Sequence, residues 1–282
     1  MSTAQYLRDL TWVINSPSLI SGGPMTGRVD PDKVDAEHLS AELADFSGYR
    51  VGRYFERLVL YWLQHLRRVE IVAQSLPVRK GKRTIGEIDL LFRDEQGRLT
   101  HWELAVKFYL YVPQVRALNS HYLGPNVRDT FERKMQRLFD VQLPRSKRDF
   151  PDVDVRQAFV KGRIFYHPRD VAPANTPRHL SPDHLRCEWI RAAEVAALDR
   201  DDDVFYRLVD KPFWLSEQLA GQSDSDLLSH EELAELLREH FASRDRCVLV
   251  SQLEPSPDCD PMFVESQRMF VVPNHWPAEL VS

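Results

Sequence analysis

The sequence predicts a mixed α/β fold, a sheet flanked by helices, and three stretches carry that prediction. Ile85 to Leu110 alternates apolar and polar residues with the period of a strand, twice over. Tyr49 to Leu66 is apolar around more than half of a helical circumference, as expected of a helix buried against a sheet. Arg128 to Asp140 is amphipathic at helical period, with Phe131, Met135 and Leu138 inward, and a strand-like run from Gln157 to Tyr166 follows it. With a further strand signal at Glu70 to Val78, the order is helix, three-strand meander, helix, strand.

Taken from the N-terminus, Gln5 to Ile20 reads as a helix broken by Ser16-Pro17-Ser18, and Gly22-Gly23-Pro24 makes a loop. Asp30 to Asp45 is acidic, with Leu39 and Leu43 at helical spacing, and predicts a short surface helix. These elements form an N-terminal helical arm, residues 1–48, ahead of a core at 49–170. Residues 171–282 are an acidic extension expected to pack on that core. There, Pro173, Pro177 and Pro182 loosen the chain before a short strand at Cys187 to Ile190, a short helix at Arg191 to Leu198 and an acidic turn at Asp199 to Asp203. Ser229 and Glu232 form a capping box that opens a helix with Leu233, Leu236 and Leu237 as its apolar stripe. Strands are predicted at Cys247 to Gln252 and Met269 to Val272, on either side of a proline-flanked loop containing Asp258-Cys259-Asp260.

The hairpin carries the chemistry. Ile88, Leu90 and Phe92 share one face of its first strand, and Trp102, Leu104, Val106 and Phe108 share one face of the second. Both sets fall on the same side only if the loop is odd, as with Glu95-Gln96-Gly97 and a left-handed Gly97. That loop pairs Asp94 with Arg98, Leu90 with Trp102, and Asp89 with Glu103. Facing carboxylates repel, and the pairing becomes favourable with a divalent cation between them. Lys107 lies on the same face, with its ammonium expected to reach back to a phosphate or an attacking water. Glu56 projects from an apolar stripe of the buried helix, among Gly52, Val59, Leu60 and Leu63. A carboxylate there must be paired, protonated or directed at a cation. The plain alternatives are a solvated charged face for the hairpin and a salt bridge from Glu56 to Arg53 or another arginine.

Composition sets the limits. The chain has 282 residues, 43% hydrophobic and 28% charged, which is ordinary for a globular protein. Its longest uninterrupted apolar run, Leu58 to Leu63, is far too short to cross a bilayer, and the N-terminus lacks a signal core, so a cytoplasmic protein with no membrane association is expected. Three separated cysteines suggest a reducing compartment, and neither a Cys-x-x-Cys pair nor a close histidine cluster offers a zinc site. The net charge of −5 conceals an asymmetry: residues 50–170 hold 24 Lys+Arg against 14 Asp+Glu, and the remainder holds 13 against 28. A basic half is the footprint of a surface that meets phosphates. Its clusters are Arg79, Lys80, Lys82 and Arg83 at a turn and Arg133, Lys134 and Arg137 on the outer side of the amphipathic helix, a nucleic-acid-binding set expected to contact DNA. The acidic C-terminal half suits a homodimer contact or a protein partner instead.

The order Glu56, Asp89 in GEIDLL, then Glu103 and Lys107 in WELAVK resembles the PD-(D/E)xK phosphodiesterase superfamily. More narrowly, SPSLI, HWELAVKFYL, YLGPN followed by a basic helix, and KGRIFYHP resemble the bacterial domain-of-unknown-function 1853 family over most of the chain. The superfamily resemblance implies a restriction-endonuclease-like core and a metal-dependent nuclease, a hydrolase of phosphodiester bonds. Asp89 and Glu103 would hold Mg²⁺ (or Mn²⁺) together with the Leu104 carbonyl, Glu56 would assist from the helix, and Lys107 would orient water or neutralise charge. The chain departs from the motif at Ile88, where proline is usual, and at Ala105, where the lysine is expected. The alternatives are a catalytically inactive nucleic-acid-binding module on the same fold and a structural or protein-interaction protein.

Overall fold

The computed structural model describes residues 2–116, 119–171, 173, 175–221, 224–256 and 262–277. The acidic loop at Asp258-Cys259-Asp260 lies outside them. Along the chain the elements are α1 (Thr3–Asn15), α2 (Ala36–Leu43), α3 (Val51–Tyr61), β1 (Glu70–Lys80), β2 (Arg83–Arg93), β3 (Leu99–Tyr111) and β4 (Tyr122–Leu123). There follow α4 (Phe131–Arg137), α5 (Leu143–Asp149), β5 (Val155–Tyr166), β6 (Leu185–Arg191), β7 (Phe205–Leu208), β8 (Leu219–Gly221), α6 (His230–Ser243), β9 (Val248–Pro255) and β10 (Met262–Val272). The fold is mixed α/β, its strands in mixed pairing and flanked by helices. No helix among the described residues is long and apolar enough to cross a membrane.

The chain forms two compact units. Unit 1 comprises Met1–Lys107, Glu132–Gly162 and Pro177–Leu185, and unit 2 comprises Phe108–Phe131, Arg163–Thr176 and Arg186–Ser282. The N-terminal helices, predicted as an arm, are therefore part of unit 1.

In unit 1 the strand order is β1-β2-β3-β5. β1 and β2 are antiparallel and close on a turn in which Lys80 pairs with Arg83 and Gly81 takes a positive φ of 61°. β2 and β3 are antiparallel with Leu90 opposite Trp102 and Arg93 opposite Leu99. The loop between them is the predicted three-residue one. Gly97 has φ 76°, and the Asp94 amide donates to the Arg98 carbonyl at 3.0 Å. β5 runs parallel to β3, because their neighbours advance together. Asp154 meets Leu99, Gln157 meets Trp102, and Gly162 meets Lys107. A parallel return needs a crossover, and the α4–α5 segment supplies it.

α3 is held on one face of this sheet by a column of rings. Phe55 stacks on Phe159 at 5.8 Å, Phe159 on Trp102 at 5.3 Å, and Trp102 on Trp62 at 6.3 Å, all buried. Phe92 meets Trp102 edge-on at 5.1 Å, and the Arg67 guanidinium covers Trp62. The opposite parity of β3 faces α5, where His101 meets Ser146 at 2.8 Å. Helices thus cover both faces. Two of them are extended by π-helical turns, Trp62–Leu66 after α3 and Leu138–Gln142 between α4 and α5. The second turn carries the predicted basic helix on to Asp149 through α5.

α1 is anchored to β5 by Lys161, a buried residue whose ammonium donates to the carbonyls of Ile14, at 3.1 Å, and Ser16 at the helix C-terminus. A cation suits that end of the macrodipole and satisfies orphan carbonyls. In unit 2 the order is β5-β6-β10-β9-β7, with β8 against β10 and β4 against the end of β3. β6 and β10 are parallel, and the other registered pairs there are antiparallel. α6 opens with the predicted capping box of Ser229 and Glu232 and buries Leu233 and Leu237 against Tyr206, Val250 and Met269. The short strands β4, β7 and β8 escape the sequence reading, being too brief to show alternation.

Gly162 is where β5 presses closest on β3. Its φ is +150°, and a Cβ would stand 1.8 Å from the Lys107 carbonyl oxygen. A backbone atom cannot yield as a side-chain tip can. Gly162→Ala is therefore expected to destabilise the protein by more than about 3 kcal/mol. Thermal or urea melts check this, and a melting temperature within two degrees of the parent contradicts the packing described.

Candidate active site

The β2–β3 ladder does not continue to the Asp89–Glu103 pair. The registered pairs end at Leu90 and Trp102. With Asp94 and Arg98 as a hydrogen-bonded pair, every second pair inward should exchange backbone bonds, so the Leu104 amide belongs to the Ile88 carbonyl. Instead it donates to Asp89 Oδ2 at 2.9 Å. A carboxylate has replaced a ladder bond at the point where the strands part. On the same strand the Arg145 side chain of α5 donates to the Glu87 carbonyl at 3.1 Å, with its guanidinium lying where a Gly86 Cβ would be.

Glu103 is fully buried and doubly held. His101, also fully buried, lies with Nε2 3.0 Å from Glu103 Oε1, and Gln142 Nε2 donates to Oε2. An ionised carboxylate only accepts, so His101 donates to Glu103 through Nε2–H, while its Nδ1 lies 2.8 Å from the Ser146 hydroxyl. Gln142 is delivered by the π turn. The extra residue rotates the following side chains around the helix, as at many functional sites. The carboxamide oxygen of Gln142 accepts from Lys134 Nζ at 3.2 Å, giving a chain from Lys134 through Gln142 to Glu103.

The electrostatics follow from this crowding. Asp89 is pushed up to about 7, first by burial and then by the charge of Glu103, against the opposing Leu104 amide bond and Lys134 charge. Glu56 is also raised, by burial above all, although Arg53 pairs with it at 3.0 Å. Its charge acts on Asp89 from α3, so the three predicted carboxylates belong to one electrostatic cluster. The salt bridge to Arg53, the plainer alternative for Glu56, is present as well.

Lys134 stands differently from its prediction. The sequence places it with Arg133 and Arg137 on the outer side of the helix. Those two are exposed, whereas Lys134 is half-buried and turned toward Gln142 and Asp89. Lys107 is four residues beyond Glu103, which is about 13 Å along a strand, beyond the reach expected of its ammonium. It is half-buried on β3, and Ala105 between them is buried. Arg79, Lys82 and Arg83 are exposed at the β1–β2 turn, and the side chain of Lys80 lies outside the described residues. His101, Gln142 and Arg145 are site neighbours that sequence reasoning missed. Only His101 had a signal, its parity with Glu103 on the same strand. A cavity of about 490 Å³ belongs to unit 2, lined among others by Arg163, Arg186, Glu217, Glu265 and Arg268. Its charges are largely paired internally, Arg163 with Glu217 at 2.8 Å and Arg268 with Glu265 at 2.7 Å.

Fold and site together define a mixed α/β protein with a carboxylate cluster at the parting of two strands, Glu103 buried and Asp89 and Glu56 half-buried. The chain belongs to the family described as Domain of unknown function (DUF1853), whose model matches residues 8–272. No curated protein and no solved structure matches it.

A carboxyl whose folded value lies above its unfolded one contributes fully below the unfolded value, and that contribution is lost as pH rises through the folded value. For Asp89 the window runs from about 4 to about 7. Asp89→Asn keeps an oxygen for the Leu104 amide and removes the charge. The metal-free variant should therefore exceed the parent in stability at pH 8, by about 1–3 kcal/mol, with the difference vanishing near pH 4. Melts in chelator across that range measure it, and identical curves at pH 8 rule out a compressed pair.

Proposed function

We propose that the protein is a Mg²⁺- or Mn²⁺-dependent phosphodiesterase acting on DNA. The observation that carries this reading is the Asp89–Glu103 pair, two carboxylates crowded together with burial as the main force on Asp89. Such a pair costs stability unless a cation relieves it. A mixed sheet with helices on both faces is in keeping with the core that the resemblance to PD-(D/E)xK nucleases implies.

The donor set fits a hard cation. Asp89, Glu103 and Glu56 offer oxygen ligands, and each Glu103 oxygen keeps lone-pair capacity beyond its bond to His101 or Gln142. A bound ion would supply Lewis-acid polarisation of the phosphodiester and a more acidic water. The remaining work falls to this chain's residues. His101 and Gln142 fix the orientation of Glu103, as outer-shell partners do. Lys134, anchored through Gln142, takes the neutralising role that the motif gives to its own lysine. Arg79, Lys82 and Arg83 on the turn, and Arg133 and Arg137 on α4, are exposed cations suited to a DNA backbone. The acidic residues 171–282 suit a protein partner or a second copy of the chain, and the free thiols Cys187 and Cys247 are in keeping with a reducing cytoplasm.

Ala105 and the distance of Lys107 favour a second reading, a DNA-binding module without turnover. Metal binding and cleavage of linear, nicked and branched DNA separate the two. For a nuclease, Asp89→Asn should abolish metal-dependent cutting, Lys134→Ala should lower it on the order of 100-fold, and Lys107→Ala should leave it within about threefold. Salt-dependent DNA affinity without cutting selects the binding module. Absence of both metal affinity and salt-dependent DNA affinity overturns both readings.

A further inference from the structure

A second group of ligating side chains stands on unit 1, on α2 and the π turn that follows α3. His38 and Glu42 lie four residues apart on α2 and therefore project from one face of it. His65 comes from the π turn that follows α3. One ligand atom from each of the three lies within 4.8 Å of the other two, and all three side chains are exposed. The His38 and His65 rings meet at 4.7 Å, close to edge-on. No sequence pattern marks this cluster, because 26 residues separate the two histidines and the extra residue of the π turn changes the direction of His65.

His38 is also oriented from behind. Its Nδ1 lies 3.2 Å from the Tyr61 hydroxyl, and that hydroxyl donates to the Asp35 carbonyl at 3.4 Å. With the hydroxyl proton so used, Nδ1–H must donate to the tyrosine oxygen. The imidazole is thereby held in the tautomer whose Nε2 carries the free lone pair. A histidine fixed through one nitrogen with the other left to ligate is the usual support of a metal-bound imidazole. An aromatic cluster alone gives no reason for Glu42 to join the two rings.

We infer that His38, Glu42 and His65 form a binding site for a divalent transition-metal ion of the zinc class, joining α2 to the end of α3. Two imidazoles and one carboxylate suit zinc, with water completing the tetrahedron, and do not suit Mg²⁺. The site is distinct from the all-oxygen set around Asp89, and the inference does not depend on the phosphodiesterase reading.

Titration calorimetry with Zn²⁺ and the absorption spectrum of the Co²⁺-loaded full chain test it. The parent is expected to bind one equivalent of Zn²⁺ in the presence of excess Mg²⁺, and Co²⁺ should give the intense visible bands of a tetrahedral site. His38→Ala and His65→Ala should each weaken Zn²⁺ by more than about 100-fold, and Tyr61→Phe by about tenfold through loss of the orienting bond. Asp89→Asn should bind Zn²⁺ as the parent does. Because the three ligands are exposed, the metal-free variants should melt with the parent. Should a variant fold poorly, Glu42→Gln supplies the same comparison with less change in shape. Zn²⁺ affinity unaltered by His38→Ala and His65→Ala, or lost in Asp89→Asn, overturns the inference.

Discussion

The column of rings from Trp62 through Trp102 and Phe159 to Phe55 is the constraint on which unit 1 depends. It joins α3 and its π turn to β3 and β5, and each stacked pair contributes about 0.5–1.5 kcal/mol beyond the area it buries. Trp102 and Glu103 are consecutive, so the ring that fixes one face of β3 also fixes where the carboxylate leaves the other. Phe55 and Glu56 are consecutive on α3, and the same packing sets the height of Glu56. The carboxylates thus inherit their placement from an apolar contact that involves none of them.

What that placement creates is a local conflict. Burial and Glu103 oppose ionisation of Asp89, and the strands part where a ladder bond would otherwise form. Asp89 meets part of the cost by taking the Leu104 amide, and Lys134 offsets part of the charge. Sequences that fold cleanly rarely keep such a cluster unless it serves a ligand. His101, itself in contact with Ser146, and Gln142 hold Glu103 by both oxygens.

The two π turns do comparable work in different places. One follows α3 and turns His65 toward His38, and the other joins α4 to α5 and turns Gln142 toward Glu103. In both, one inserted residue redirects a polar side chain without breaking the helix. This gives unit 1 two polar groupings of different donor type, oxygen-rich around Asp89 and nitrogen-rich at α2.

The sequence by itself determined the longer local elements and the pairing of β2 with β3. Alternation and an odd loop set the β2–β3 register at Leu90 and Trp102, Ser229 and Glu232 announced α6, and the isolated acid on an apolar stripe marked Glu56. These follow from period and spacing, which are properties of neighbours in the chain. Tertiary structure alone decided where the ladder ends, that Lys134 faces inward while Arg133 and Arg137 face out, and that His101, Gln142 and Arg145 surround the acids. It also brought His38, Glu42 and His65 together. Such choices turn on how far each helix is rotated against the sheet, and that rotation is set by π turns and long-range packing that no repeating pattern in the sequence encodes.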